Sequence, residues 1–183
     1  MALVLSGDAG ITFPVTAGSA SAVQASSGRV LQVVNTTKTD VFTTTSTSFT
    51  DVTGLSASIT PSNSSSKILV MVSFYFSSSS SSGYPIARIL RGSTAIYVGD
   101  SAGSRTPALV QTGGGLFNSD GGTGFCVSAQ FIDSPATTSA TTYKLQVLQS
   151  AGNTVRINAS GDDDNSSGRV RTASSIVLME MAA

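Results

Sequence analysis

Lys67-Ile68-Leu69-Val70-Met71-Val72-Ser73-Phe74-Tyr75-Phe76 is the stretch that decides the fold. Side chains alternate across an extended chain, so residues two apart share a face. Ile68, Val70, Val72, Phe74 and Phe76 therefore form one apolar face. Leu69, Met71 and Tyr75 form the other, interrupted only by Ser73. A strand with water on one side carries polar residues there. This one is predicted to be covered on both sides, or to turn its second face to another subunit. Leu69, Met71 and Tyr75 are the expected oligomer interface.

The same two-residue period recurs on either side. Upstream, Val30–Val34 reads as a first strand and the Thr-rich Val41–Phe49 as a half-exposed second. Leu55, Ala57 and Ile59 alternate with Ser56, Ser58 and Thr60, and Pro61 with the Ser/Asn run to Ser66 ends that segment. Downstream, Tyr84–Arg91 places Tyr84, Ile86 and Leu90 on one side, with Arg88 between them. Gly92-Ser93 makes a hairpin to Thr94–Val98, and Ala108–Val110 is a short strand. Phe125–Ile132 puts Phe125, Val127, Ala129 and Phe131 on one face. Tyr143–Gln149 and Thr154–Ala159 read as a hairpin around Ala151-Gly152-Asn153, and Ser175–Met181 as the last strand. No long segment sustains apolar residues three and four apart, as an amphipathic helix requires. The predicted class is all-β: an antiparallel β-sandwich over residues 29–183, jelly-roll-like in view of its length and long polar loops. Strand order is not readable.

Composition agrees. Of 183 residues, 40% are hydrophobic and only 11% charged; Ser, Thr and 18 Gly make up much of the rest. Thr suits a strand surface and Ser and Gly suit turns. Lys and Arg total 10, as do Asp and Glu, so the net charge is 0. The cations are scattered singly, unlike the clustered charge that neutralises phosphates, which argues against nucleic acid and against an anionic membrane surface. The apolar runs fall far short of the roughly 20 residues that cross a bilayer. Low charge also gives little repulsion between copies, which favours a built-in oligomer. Residues 1–28 differ: small, Gly-punctuated and nearly uncharged, with Pro14 opposing a helix or central strand. Leu3 and Leu5, then Ile11 and Phe13, are apolar pairs at extended spacing. The segment reads as an extended arm, flexible or laid on a partner, or as a disordered terminus.

Candidate chemistry is sparse. The chain has no histidine and one cysteine, Cys126. Cys–His and Ser–His catalytic pairs cannot form within it, and a zinc site lacks ligands. Cys126 is expected to be a buried or half-buried inert thiol. Asp162-Asp163-Asp164-Asn165 gathers carboxylates as a hard cation wants, yet lacks the glycine and distal Glu of an EF-hand; a solvated loop tip is the favoured reading, and no metal is assigned. Gly113–Gly124 lacks the Lys and Ser/Thr of a phosphate loop. With Ser77–Gly83 and Gly161–Gly168 it is expected to form a contact surface at one end of the sandwich. Tyr84 and Tyr97 lie near such loops, where a ring offers a sugar an apolar face, although strand-end tyrosines are ordinary. No cofactor and no enzymatic activity are expected.

Five stretches carry a resemblance: Gly28-Arg29-Val30-Leu31-Gln32-Val33-Val34; Ser58-Ile59-Thr60-Pro61 through Val70; Arg88-Ile89-Leu90-Arg91-Gly92-Ser93-Thr94; Asp133-Ser134-Pro135 through Tyr143; and Ile176-Val177-Leu178-Met179-Glu180. In this order they resemble phage tail-fibre-like and virion appendage proteins of cyanophages and other aquatic phages. Gly10-Ile11-Thr12-Phe13-Pro14 is similar to a phrase that precedes a distal module in tail-fibre and collar proteins. The resemblance implies a homotrimeric component on the outside of the virion, held by its N-terminal arm, with a β domain facing a host-surface glycan or protein. The arm has no shaft of repeats behind it, which suggests a short fibre or compact knob, or a capsid or tail decoration or adaptor without a receptor.

Overall fold

The computed structural model describes residues 4–6, 10–12, 28–112 and 124–183, and every regular element among them is a β-strand. Two short strands, β1 (Val4–Ser6) and β2 (Gly10–Thr12), pair antiparallel with Leu5 opposite Ile11. The rest is β3 (Val30–Lys38), β4 (Phe42–Thr44), β5 (Thr50–Ile59), β6 (Lys67–Ser78), β7 (Pro85–Arg91), β8 (Thr94–Ile96), β9 (Val110–Gln111), β10 (Gly124–Asp133), β11 (Thr141–Gln149), β12 (Val155–Ile157) and β13 (Ser174–Met181).

These form an antiparallel β-sandwich. In the first sheet β6 is central: β10 lies along one edge, and β13 and β12 lie end to end along the other. Beyond them β3 pairs β13 and β4 pairs β12. The second sheet runs β5, β11, β7, with β8 and β9 sharing the far edge of β7. Counting collinear pieces as one ribbon, successive ribbons are dealt between the sheets in the order 1-8-3-6 and 2-7-4-5.

The predicted inner face of the decisive stretch is the core: Ile68, Val70, Val72, Phe74 and Phe76 are all buried. They meet Leu55, Ala57 and Ile59 of β5, Ala87 and Ile89 of β7, and Tyr143, Leu145 and Val147 of β11. Burying each of the larger side chains contributes about 1.5–3 kcal/mol, so this stack is the main source of stability. On β5 the alternation is broken once, because Val52 and Leu55, three apart, both face inward. The pairing with β11 slips there, and Gly54 at φ +81° sits in the left-handed conformation that a bulge demands.

Two sequence expectations are corrected. The Val41–Phe49 strand is only Phe42–Thr44. Beyond it, Ser46 and Ser48 bond to their own backbone: Ser46 Oγ donates to Ser48 O and accepts from Ser48 N. That local alternative to a ladder turns the chain from the first sheet to the second. The Tyr143–Gln149/Thr154–Ala159 hairpin does not form; β11 pairs β5 and β7, while β12 pairs β4 and β6 in the opposite sheet. The intervening turn crosses the sandwich. On β7 the core is met by Ala87 and Ile89, the face opposite Tyr84, Ile86 and Leu90.

Polar clamps join the parts. Arg91 Nη1 donates to both oxygens of Asp133 at 2.7 and 2.9 Å, and Tyr143 Oη donates to Asp133 Oδ2 at 2.6 Å, tying β7 and β11 to β10 of the other sheet. Burial, then the Asp133 carboxylate, pushes the Tyr143 phenol well above its ordinary range. Tyr143→Phe removes one hydrogen bond to a charged acceptor and should lower stability by about 1.5–3 kcal/mol in urea unfolding. An unchanged midpoint would show the clamp to be idle.

Candidate interaction surfaces

The two sheets present opposite kinds of outer face. On the second sheet, Asp51 accepts from Lys144 Nζ at 2.7 Å and Gln146 Nε2 at 2.6 Å, Gln146 accepts from Arg88 Nε at 2.9 Å, and Ser58 meets Thr142 at 2.7 Å. The Arg88 guanidinium lies 3.8 Å from the centre of the Phe49 ring. This is a surface built for water: charged, cross-linked by hydrogen bonds and registered across three strands.

The outer face of the first sheet holds charge at its ends, where Lys67 of β6 donates to Ser134 Oγ at 2.8 Å and Arg156 of β12 donates to Gly161 O, and differs between them. Its pairing register lines up Val33, Met179, Leu69 and Ile132 as one cross-strand row, and Asn35, Val177, Met71 and Gln130 as the next. Thr37, Ser175, Ser73 and Ser128 follow, and then Tyr75 beside Cys126. No position in these rows is charged. Val33 is 54% and Ile132 62% exposed, and Leu69, Met71 and Tyr75 are half-buried. Among the described residues β6 is therefore central in its sheet, with no second layer over this side.

Tyr75 lies over Gly124, where an added Cβ would collide with its ring. Burial pushes its phenol above the ordinary value. Cys126 beside it is exposed, not buried as expected. Along β10 the side shared by Cys126 and Ser128 is the outward one. The sequence picked out Leu69, Met71 and Tyr75. It did not connect them to Val33, Val177, Met179 and Ile132, which only the strand order brings alongside. The available signal was a second doubly apolar strand, since Val177 and Met179 back Ile176 and Leu178 as Leu69 and Met71 back Ile68 and Val70.

The two candidate sugar-stacking tyrosines do not share a site. Tyr84 is half-exposed at the β6–β7 loop, where its backbone N–H donates to Ser150 Oγ at 2.7 Å. Tyr97, at φ +53°, stacks on Phe131 with ring centres 4.4 Å apart, and lines a shallow groove with Leu109, Val110, Val127 and Ala129. One face of its ring is thus taken by Phe131. Of the three loops expected at one end, the β6–β7 loop is stitched to the β11–β12 turn by Ser79 N–H to Thr154 O at 2.9 Å and Asn153 Nδ2 to Ser82 O at 2.6 Å. Residues 113–123 lie outside the described residues.

In the acidic loop each carboxylate has a cation. Arg169 reaches Asp164 at 2.9 Å and Asp162 at 3.6 Å, and Arg171 reaches Asp163 at 2.7 Å. The sequence showed the carboxylates but not that two arginines beyond Gly168 fold back on them. Of the arm anchors, Leu3 and Phe13 lie outside the described residues, and Leu5 and Ile11 are known only as backbone partners. No protein-family model matches the chain, and no curated protein matches it.

Proposed function

We propose that this chain is a non-enzymatic structural component of a phage particle: a short tail fibre or appendage on the virion exterior, working as a homotrimer. The observation that carries the reading is the contrast between the two outer faces, one charged and water-ready, the other uncharged over its central rows and apolar across the row of Val33, Met179, Leu69 and Ile132. A contiguous exposed apolar surface marks a contact site, and assembly is what a virion component must do. The ribbon order 1-8-3-6 over 2-7-4-5 supports a jelly-roll winding, in which two Greek keys stack. The groups with the largest protonation shifts, Tyr143 and Glu180, are both engaged in structural hydrogen bonds, which supports a role without catalysis.

On this reading residues 1–28 attach the domain to a neighbouring virion protein through Leu3, Leu5, Ile11 and Phe13. The end loops, with Tyr84 and Tyr97, face a host-surface glycan or protein. Deleting residues 1–27 should leave a folded β-sandwich that fails to enter particles, scored by far-UV spectra and by the protein content of purified virions. A deletion that unfolds the domain, or particles that incorporate it normally, contradicts the division. The same purified domain should block adsorption; if it enters virions yet leaves adsorption untouched, a capsid or tail decoration or adaptor is the better description.

A further inference from the structure

We infer that the uncharged central rows on the outer face of β3, β13, β6 and β10 are the surface through which copies of this chain bind one another. The inference takes its setting from the structural reading above and adds the partner and the contact.

Three observations select a second copy as the occupant. First, in a closed ring of identical copies the residues near the symmetry axis meet their own equivalents. Any charge near that axis faces its own kind or must find an opposite one, and the rows from Val33 to Cys126 carry neither sign, the exposed Lys67 lying at their border. Second, the chain as a whole has equal numbers of acidic and basic residues, 10 of each, so nothing at long range holds copies apart. Third, the size comes near what association needs. Four strands about 4.8 Å apart, followed over seven residues at roughly 3.3 Å each, cover on the order of 450 Å² in projection, so two copies bury close to the ~1,000 Å² of a specific interface.

The arrangement within the face points the same way. The interior strands β6 and β13 carry Leu69, Met71 and Met179, long flexible side chains that fill an uneven gap, while the flanking strands add the β-branched Val33 and Ile132. Below them Ser73, Ser128 and Ser175 form a small polar row that lets another surface approach closely.

The test uses the purified full chain and reads its mass in solution by sedimentation or light scattering across the micromolar range. The wild-type protein is expected as a multiple of 18.5 kDa. Met71→Asp and Ser73→Arg should each reduce it to the single-chain mass. Ser73 is exposed and its replacement leaves the core untouched, so that variant should retain the wild-type far-UV spectrum even if Met71→Asp does not fold. Ser58→Arg, the same change of charge on the opposite sheet, should leave the multiple intact. Cys126 supplies a second readout: its alkylation by iodoacetamide should be several-fold faster in Ser73→Arg than in wild type. A wild-type protein that is one chain throughout overturns the inference, as does a multiple that survives both variants or that Ser58→Arg dissolves equally. None of these outcomes decides whether the protein belongs to a virion, which the protein content of particles answers separately.

Discussion

Replacing Asn158 by alanine is expected to destabilise the β-sandwich by about 3–4 kcal/mol. Asn158 is fully buried between the end of β12 and the loop that returns to β13. Its Nδ2 donates to Lys38 O at 2.8 Å and Asp40 O at 3.1 Å, at the break between β3 and β4. Its Oδ1 accepts from Ser174 Oγ at 2.5 Å, at the start of β13, while its own backbone bonds Tyr75 O and Thr172 N. One side chain thus satisfies polar groups from three strand ends where two ribbons are interrupted side by side. Alanine strands those groups in the interior. It also inherits a backbone at φ +69°, which asparagine tolerates better than alanine. Urea unfolding should show the loss as a lower midpoint with unchanged slope, and the melting temperature should fall by roughly 10 °C. A loss under 1 kcal/mol would mean that water replaces the amide and the junction is looser than drawn.

Glu180 should govern the acid limit. Its buried carboxylate accepts from Ser62 N–H and Ser62 Oγ, both at 2.7 Å, and from Gln32 Nε2 at 2.6 Å, pinning the β5–β6 turn to the last strand. Desolvation alone would raise its pKa. The hydrogen bonds from Ser62 and Gln32 outweigh that and bring it from 4.5 down to about 2. The folded state thus holds its proton less tightly than the unfolded chain. The stabilisation is complete above about pH 5 and drains away as the pH falls through 4.5 towards 2. A shift of this size corresponds to about 3 kcal/mol. Glu180→Gln should be less stable than wild type at pH 7, and the difference should shrink as both are acidified. Parallel stability curves from pH 6 to pH 3 would show that Glu180 has no part in acid unfolding.

Much of this architecture was legible before any coordinates because alternation is a local property. Ile68, Val70, Val72, Phe74 and Phe76 announce a buried face by themselves, and so do Ile176 and Leu178. What was not legible depends on residues far apart. Tyr143–Gln149 and Thr154–Ala159 have the pattern of a hairpin, and nothing in those residues says that the partners of the second lie at Phe42–Thr44 and Phe76–Ser78. Asn158 attracts no notice in a chain rich in small polar residues; its weight comes from Lys38, Asp40 and Ser174 converging on it. Glu180 stood out only as the sole glutamate, and its partners lie 118 and 148 residues away. The candidate surface was half visible for the same reason: periodicity gave Leu69, Met71 and Tyr75, and strand order gave their neighbours.

The ladder between β3 and β13 has a temporal consequence. β3 is made early, yet among the described strands its backbone pairs only with β13, which is made last and wedges between β3 and β6. While the ribosome is still working through the intervening residues, Val30–Lys38 waits without its ladder and one flank of β6 stays open. Closure of this sheet therefore waits for β13 and is slow, as distant pairings are. A chain cut short before Ser174 leaves a waiting edge on each side of the gap, open to the β13 of another molecule.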